Sequence, residues 1–263
     1  MRNLRACLAL AMLLASAAAA ATPSYTAAGV VNAGNYAPGP FAPNSILTLF
    51  GVGLARSSQA LTVDDIRDGF LPTELNSTRV YVDGSPAPLF YVSDGQVNFL
   101  MPSNQSTAWP VEVWVMREGN AGPKITLTVV SAAPALFATA AGYAIATHAD
   151  NSLVTVDAPA HANEVIVLYC TGLGKTAPNP ATGVIPQYAG QILTLADLKV
   201  TMGGAVLPPD RIKYAGLSPG SAGLYQINLA VPDSPGVPAG SDPEIRVFVG
   251  DQSSPGGLKL AFR

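Results

Sequence analysis

Apolar and polar residues alternate with a period of two along many short stretches of this chain. Residues 111–115 (Val-Glu-Val-Trp-Val) and residues 245–249 (Ile-Arg-Val-Phe-Val) show the alternation most clearly. This is the period of a β-strand, in which successive side chains point to opposite faces. The 25 glycines and 23 prolines are spread along the chain and separate these stretches. The pattern therefore predicts an all-β fold of short strands joined by turns.

A polar motif, Gln-x-Asn, occurs twice within such stretches, as Gln96 with Asn98 and as Gln226 with Asn228. The surrounding sequence corresponds too, since residues 44–54 align without gaps with residues 163–173. Several short strands with turn signals between them are typical of a β-sandwich. We therefore expect two tandem sandwiches: a first copy at residues 22–133 and a second copy at residues 134–263.

Each copy also contains a long excursion between strands, at residues 61–75 in the first copy and at residues 175–197 in the second. Segments of this kind are normally surface loops. Before the second copy's Asn163, residues 144–156 predict an additional hairpin that turns at Asp150 and Asn151.

The first 21 residues have a different pattern. Arg2 and Arg5 precede a short apolar run, and residues 17–21 are all alanine. A basic start, a short apolar run and small residues before a cleavage site predict a secretory signal peptide. The alternative is a membrane anchor, but the run is shorter than a bilayer span requires. We expect a secreted protein, periplasmic or extracellular, with no membrane span in the mature chain.

The charge balance excludes one class of partner. Without Arg2 and Arg5, 12 basic residues face 17 acidic ones, which gives a net charge of about −5. Phosphate-backbone binding requires clustered lysine and arginine, and the sequence shows no such cluster. We therefore expect no nucleic-acid binding.

Nucleophiles and metal ligands are sparse in the mature sequence. Its single cysteine, Cys170, lies in a stretch that is apolar on both faces, so we expect it to be buried. Ser218 formally fits a Gly-x-Ser-x-Gly motif, but Pro219 follows it where a nucleophile elbow needs a helix. The two histidines, His148 and His161, form no metal-binding motif. We expect no catalytic residue, no cofactor, no metal and no enzymatic activity.

Two alternatives remain open at this point. An extracellular hydrolase would use a pair of carboxylates. A calcium-stabilised adhesin module would use the acidic loop of Asp64, Asp65 and Asp68, because carboxylate oxygens suit that ion.

The most distinctive polar residues are Gln96, Asn98, Gln226 and Asn228. A functional interpretation makes them an amide row that faces carbohydrate. A structural interpretation, which their recurrence favours, has the amides satisfy backbone groups of a neighbouring loop or of the joint between the copies.

Aromatic residues offer a second candidate surface. By strand parity, Trp114 and Phe248 point away from the core and are possible ligand or interface residues. Trp109, beside Pro110, is predicted to pack at a strand edge instead.

Four phrases resemble an uncharacterised C-terminal domain family of secreted proteins from Solibacter-type acidobacteria. They lie at residues 31–36, 46–54, 87–99 and 167–174. The copies are also similar to immunoglobulin-like IPT/TIG domains, and this resemblance implies immunoglobulin-like sandwiches. We expect a non-catalytic binding or structural module whose partner is an extracellular protein or polysaccharide.

Overall fold

The computed structural model describes residues 22–233, 238 and 240–263, so the predicted signal peptide at residues 1–21 lies outside it. Within these ranges the chain is all-β, with antiparallel sheets, and the helical elements are short 3-10 turns. These turns lie at Ala27–Gly29, Val63–Asp65, Leu195–Asp197 and Pro209–Arg211. No helix in the same ranges is long and apolar enough to cross a membrane.

The first copy forms two sheets. The first sheet has the strand order β1-β2-β7-β6-β3, and the second sheet has the order β10-β8-β4-β5 with β9 beside β8. The strands are β1 (Val30–Asn32), β2 (Ile46–Phe50), β3 (Gln59–Ala60), β4 (Thr78–Val82), β5 (Ser85–Ala87), β6 (Leu89–Val92), β7 (Gln96–Leu100), β8 (Val111–Arg117), β9 (Asn120–Ala121) and β10 (Ile125–Leu127).

The second copy also forms two sheets. The third sheet has the order β11-β13-β19-β18-β15-β14 with β12 beside β13, and the fourth has the order β17-β16-β20-β21. The strands are β11 (Ala135–Leu136), β12 (Ala146–Thr147), β13 (Val165–Thr171), β14 (Thr176–Ala177), β15 (Gln191–Ile192), β16 (Leu198–Met202), β17 (Ala205–Val206), β18 (Ile212–Leu217), β19 (Tyr225–Ala230), β20 (Ile245–Val249) and β21 (Gln252–Ser253).

The pairing of the central strands repeats between the copies. Strand β7 lies between β2 and β6 as β19 lies between β13 and β18. The β6–β7 register shifts between Leu89 and Tyr91, and the β18–β19 register shifts between Ile212 and Tyr214. The sequence repeat is therefore also a repeat of strand order and of a register irregularity.

Apolar side chains from both sheets of a copy share one core. In the first copy, Leu47 and Phe99 of the first sheet join Val80 and Val113 of the second sheet in one buried cluster. In the second copy the corresponding cluster joins Ile166 and Ile227 to Val200 and Val247. Alternation along each strand sends the polar residues to the outward faces, as the burial of β8 shows.

The two long excursions do not lie apart as separate loops. Leu71 N donates to Gly183 O at 2.9 Å, and Ile185 N donates to Gly69 O at 2.8 Å. Phe70 and Val184 form a β-bridge between them. The expectation of surface loops was therefore incomplete, because each excursion satisfies backbone groups of the other.

Buried side chains complete the joint between the copies. Leu100 of β7 packs with Leu71 and with Ala222 of the second copy. Thr171 Oγ1 accepts from Ile46 N at 3.0 Å and donates to Gly223 O at 2.8 Å. The joint therefore contains both apolar packing and hydrogen bonds.

The additional hairpin is confirmed, and two predicted strands are corrected. Thr147 and Leu153 form a bridge, and His148 N donates to Ser152 O at 2.9 Å around the predicted turn. Alternation over residues 125–129 and 258–262 predicts a last strand for each copy. The first of these ends at Leu127 as β10, and residues 258–262 form isolated bridges instead of a strand.

Candidate functional site

Partly or largely exposed aromatic side chains lie on the outward faces of all four sheets. Residues that pair directly across antiparallel strands project from the same face, which places each aromatic ring beside identifiable neighbours. The rings are Phe50 and Tyr91 on the first sheet, Tyr81 and Trp114 on the second, Tyr169 and Tyr214 on the third, and Phe248 on the fourth.

Trp114 is held between two neighbours on the second sheet. Its ring stacks on Tyr81, with 5.0 Å between centroids and 9° between planes. Lys124 Nζ lies 4.7 Å from the Trp114 centroid and donates to Glu112 Oε1 at 2.7 Å. Because β4 and β10 flank β8, Tyr81 and Lys124 approach Trp114 from opposite sides. What Trp114 offers to a partner is therefore the edge of its ring.

Phe248 also lies beside a cation. Arg246 Cζ is 5.0 Å from the Phe248 centroid. The same guanidinium donates to Ser253 Oγ at 2.9 Å and to Ser254 O at 3.1 Å, which fixes its position on the fourth sheet. The cation–π contact and these hydrogen bonds hold Arg246 over a partly buried ring. Trp114 and Phe248 thus lie on different sheets, each beside a cation.

The amides of each Gln-x-Asn motif bond to each other. Gln96 Nε2 donates to Asn98 Oδ1 at 2.8 Å, and Gln226 Nε2 donates to Asn228 Oδ1 at 2.9 Å. Thr48 Oγ1 makes a second contact to Asn98 Oδ1, at 3.0 Å. The side-chain hydrogen bonds of these four residues, within the described ranges, run to other side chains and not to loop backbone. All four side chains are half-buried on outward sheet faces.

The first sheet places aromatic rings around its amide pair. Phe50 is directly opposite Gln96, and Tyr91 is directly opposite Asn98. Phe50 is 40% exposed, and its ring centroid lies 6.0 Å from that of Tyr36, which is 61% exposed. We name Tyr36, Phe50, Gln96 and Asn98 the amide–aromatic patch.

The third sheet repeats this arrangement, but the hydroxyl groups of its tyrosines contact other residues of the second copy. Tyr169 is opposite Gln226, and Tyr214 is opposite Asn228. The Tyr214 hydroxyl lies within hydrogen-bond distance of Gly190 O and Leu217 O, at 3.1 and 2.9 Å. The Tyr169 hydroxyl lies 3.4 Å from Thr147 Oγ1. These phenols therefore serve contacts within the second copy.

The acidic loop is organised by its own backbone. Asp65 Oδ2 accepts from Thr62 N and from Thr62 Oγ1, both at 2.8 Å, and so caps the start of the 3-10 turn Val63–Asp65. Those hydrogen bonds lower the pKa of the Asp65 carboxyl. In the part of the chain that the structure describes, no group of three His, Cys, Asp or Glu side chains converges as a metal site would require.

A cleft of about 450 Å³ contains two carboxylates, Asp197 and Asp251. Both side chains are exposed, and Thr107, Ser131 and Gln252 also line the cleft. A second cleft, of about 280 Å³, contains Glu74 and Glu118. Both clefts are places in the described structure where the carboxylate-pair alternative can be tested.

The remaining nucleophiles are in structural positions. Cys170 is fully buried in β13, as the sequence predicts, and burial raises the pKa of its thiol far above the usual range. Ser218 follows β18, and Ser218 N donates to Leu224 O at 2.9 Å across a turn. The segment after Ser218 is a turn and not the helix of a nucleophile elbow.

A histidine–carboxylate pair ties together two loops of the second copy. His148 Nδ1 bonds to Glu164 Oε1, and His148 Nε2 lies 3.2 Å from Ala158 O. Since both ring nitrogens face acceptors, the doubly protonated imidazolium suits this position best. The Glu164 hydrogen bond raises the pKa of His148 above 6.5, against the effect of burial, and Asp150 adds to the rise. Burial opposes the shift of Glu164, but bonds from His148 and His161 N still lower its pKa.

We expect this pair to make stability depend on pH. A raised His148 pKa stabilises the fold fully below about pH 6.5, and the contribution is lost as the pH rises through the folded-state pKa. The melting temperature of a His148→Gln variant should therefore differ most from wild type near pH 6 and approach it near pH 9. Glu164→Gln should remove the same pH dependence. A difference that stays constant across this range would contradict the assignment.

Sequence reasoning missed the most exposed aromatic residues. Trp109, predicted to pack at a strand edge, is 69% exposed. No sequence pattern predicted that Tyr36 and Phe50 share a surface. The signal that could have found the pair is at the end of β2, where alternation places Leu47 and Leu49 inward and so leaves the apolar Phe50 on the outward face.

No family model matches the chain, and no curated protein matches it. Among solved structures, it is similar to a surface glycan-binding protein from Prevotella bryantii at 13% identity and a TM-score of 0.28, over 90% of this chain and 42% of that one. Domains 5-6 of the S-layer protein SbsC match at 10% identity and a TM-score of 0.26, over 92% and 98% of the two chains. An endo-fucoidan hydrolase from glycoside hydrolase family 107 matches at 13% identity and a TM-score of 0.16, over 85% and 27%.

The chain thus spans less than half of the glycan-binding protein. Structural similarity at these TM-scores supports no conclusion about the fold or the ligand of this chain. The candidate site is therefore inferred from its own geometry. The resemblance of the four sequence phrases to the acidobacterial family remains a prediction.

Proposed function

We propose that this protein is a secreted, non-catalytic binding or structural module that acts through its loops and outward sheet faces. The observation that carries the proposal is the placement of partly exposed aromatic rings on the outward face of every sheet. Aromatic residues with one buried and one solvent-facing side are enriched where proteins meet partners. The pattern of residues 1–21 supports secretion.

The proposal includes two tandem immunoglobulin-like sandwiches, at residues 22–133 and 134–263. Its support is the repeated order of the central strands, the repeated register shift and the two shared cores. Asn44 and Asn163 add to it, because both have positive φ, at 62° and 63°. Their backbone amides donate to Met101 O and Val231 O, which are corresponding residues after β7 and β19.

Four carboxylates outside the two clefts are poor candidates for a general acid. A general acid needs a carboxyl group with a raised pKa. The pKa values of Asp65, Asp150, Glu164 and Asp242 are all lowered, and hydrogen-bond donors contribute to each shift. The competing hydrolase would depend on one of two clefts, the cleft that contains Asp197 and Asp251 or the cleft that contains Glu74 and Glu118.

The test is a pull-down of mature protein with a panel of glycans and cell-wall material. We expect wild type to be retained and a Trp114→Ala, Phe248→Ala double variant to be retained less, because the variant loses the exposed ring edge of Trp114 and the partly exposed ring of Phe248. The control is Val206→Ala, which shortens a side chain that is 60% exposed on the fourth sheet.

Three outcomes would count against parts of the proposal. Equal retention of wild type and the double variant would remove Trp114 and Phe248 from the binding surface. No retention of wild type on any material would contradict the binding role itself. Release of soluble reducing ends by wild type would favour the hydrolase. Comparing an Asp197→Asn, Asp251→Asn variant with a Glu74→Gln, Glu118→Gln variant would then identify its carboxylates.

A further inference from the structure

We infer that the amide–aromatic patch on the first sheet binds a neutral polysaccharide. This inference rests on the proposed function and names its ligand class and its location. It concerns Tyr36, Phe50, Gln96 and Asn98, and not the ring of Trp114, whose two faces already meet Tyr81 and Lys124.

The first step is the hydrogen-bonding capacity that the amide pair has left. A carboxamide carries one carbonyl oxygen and one NH₂ group. The Gln96–Asn98 bond uses the NH₂ of the first residue and the oxygen of the second. Gln96 Oε1 and Asn98 Nδ2 therefore remain, with no protein partner in the described ranges. If the N and O positions of both amides were exchanged, one free acceptor and one free donor would still lie side by side.

The second step is that the free acceptor, Gln96 Oε1, and the free donor, Asn98 Nδ2, are held in position. Thr48, which is only 1% exposed, lies directly across from Asn98 on the neighbouring strand β2, and its Oγ1 contacts Asn98 Oδ1 at 3.0 Å. The Gln96–Asn98 bond itself limits rotation of both side chains. A fixed donor and acceptor lose less conformational entropy on binding than free side chains do.

The third step is the aromatic surface beside the amides. Phe50 stands opposite Gln96, and Tyr36 extends the apolar surface at a ring distance of 6.0 Å. A pyranose ring presents C–H groups on its face and hydroxyl groups at its edge. Each hydroxyl can donate and accept. Such a ring can therefore contact the aromatic surface while its hydroxyls meet Gln96 Oε1 and Asn98 Nδ2.

The surroundings restrict the ligand to an uncharged, hydroxyl-rich one. The cross-strand partners of the amides, which are Phe50, Thr48 and Tyr91, are all uncharged, so this face has no counter-charge for an anionic polymer. A peptide that binds by adding a strand needs the free backbone groups of a sheet edge. Strand β7 lies inside the sheet, between β2 and β6. Side chains alone are available there.

The patch is confined to one end of the first sheet. At the opposite end of β7, Leu100 is fully buried against Ala222 of the second copy. Phe50, at the other end of β2, stays exposed. The equivalent pair on the third sheet, Tyr169 opposite Gln226, supplies a matched control, because the Tyr169 hydroxyl lies within contact distance of Thr147.

The experiment is affinity electrophoresis of the mature protein in gels that contain hydroxyethyl cellulose, glucomannan or, as an acidic comparison, polygalacturonate. We expect wild type to be retarded by at least one neutral polymer. A Phe50→Ala, Gln96→Ala variant should bind that polymer about tenfold more weakly, the loss expected when one ring contact and one amide contact are removed. The Tyr169→Ala, Gln226→Ala control should bind as wild type does.

Melting temperatures of both double variants establish that they are folded. A single Asn98→Ala variant, which removes the free donor and keeps the ring, should also weaken binding. Equal retardation of wild type and the Phe50→Ala, Gln96→Ala variant would overturn the inference and leave the proposed function intact, as would retardation by polygalacturonate alone. Weakening by the third-sheet control to the same extent would overturn the location. Absence of wild-type binding to every polymer and in the cell-wall pull-down would reject the proposed function as well.

Discussion

A Tyr225→Ala variant is expected to lose about 3–5 kcal/mol of the free energy of unfolding. Tyr225 is fully buried and is among the largest side chains of the second copy's core. Its removal leaves a cavity that the surrounding strands β13 and β18 cannot close without distortion. Chemical denaturation at fixed temperature measures the loss as a lower midpoint with an unchanged slope.

A Tyr225→Phe variant separates the hydroxyl from the ring. The hydroxyl donates to Gly174 O and accepts from Asn44 Nδ2 at 3.2 Å, so it joins the second copy to the first. Burial raises the pKa of Tyr225, which keeps the group protonated and able to donate. Leaving two buried polar groups unpaired should cost about 1–3 kcal/mol. A phenylalanine variant as stable as wild type would contradict this role.

A Gly172→Ala variant is expected to lose about 3 kcal/mol or more, because backbone strain and a collision add together. Gly172 has φ of +78°, which side chains with a Cβ rarely adopt, and an added Cβ would lie 2.1 Å from Ala133 O. Its backbone carbonyl also accepts from Ala133 N at 2.8 Å. The chain at the boundary between the copies therefore has no room to move away. Thermal and chemical denaturation check the loss.

Gly204→Ala is the matched control for Gly172→Ala. Gly204 has a similar φ of +84°, but an added Cβ would meet nothing within 4 Å. This variant should lose only the conformational cost, about 1–2 kcal/mol. The difference between the two variants measures the collision. If the two variants lost the same free energy of unfolding, the close approach of Gly172 to Ala133 would contribute nothing to the loss.

The sequence predicted strand positions well where one face of a strand is buried. In β8 and β20, alternation placed Trp114 and Phe248 on the outward face, and their neighbours are buried as expected. The recurrence of Gln96 and Asn98 as Gln226 and Asn228 also predicted a repeated arrangement. These signals are local, because they depend only on the period of two.

The candidate site was less accessible to such reasoning, because it depends on which strands become neighbours. The two cationic contacts illustrate this. Arg246 reaches Phe248 within one strand, whereas Lys124 reaches Trp114 only because β10 pairs with β8. In β2, Ile46 and Phe50 are both apolar and both lie on the outward face, yet Ile46 packs against the buried cluster at the joint and Phe50 is left exposed. What covers an apolar residue is set by contacts distant in sequence, which a one-strand pattern does not contain.

Because the two excursions differ in sequence, the order of the two copies along the chain matters. The sheets of the copies correspond, but residues 69–71 of the first excursion meet residues 183–185 of the second, and the two excursions differ in sequence. A synthetic chain that carried residues 22–133 twice would bring two identical excursions together. Leu71 and Leu100 would then have no Ala222 or Gly183 to meet. A chain made of two first copies should therefore expose Leu71 and Leu100 and self-associate through them. The natural chain covers these residues, because its second copy is unlike its first.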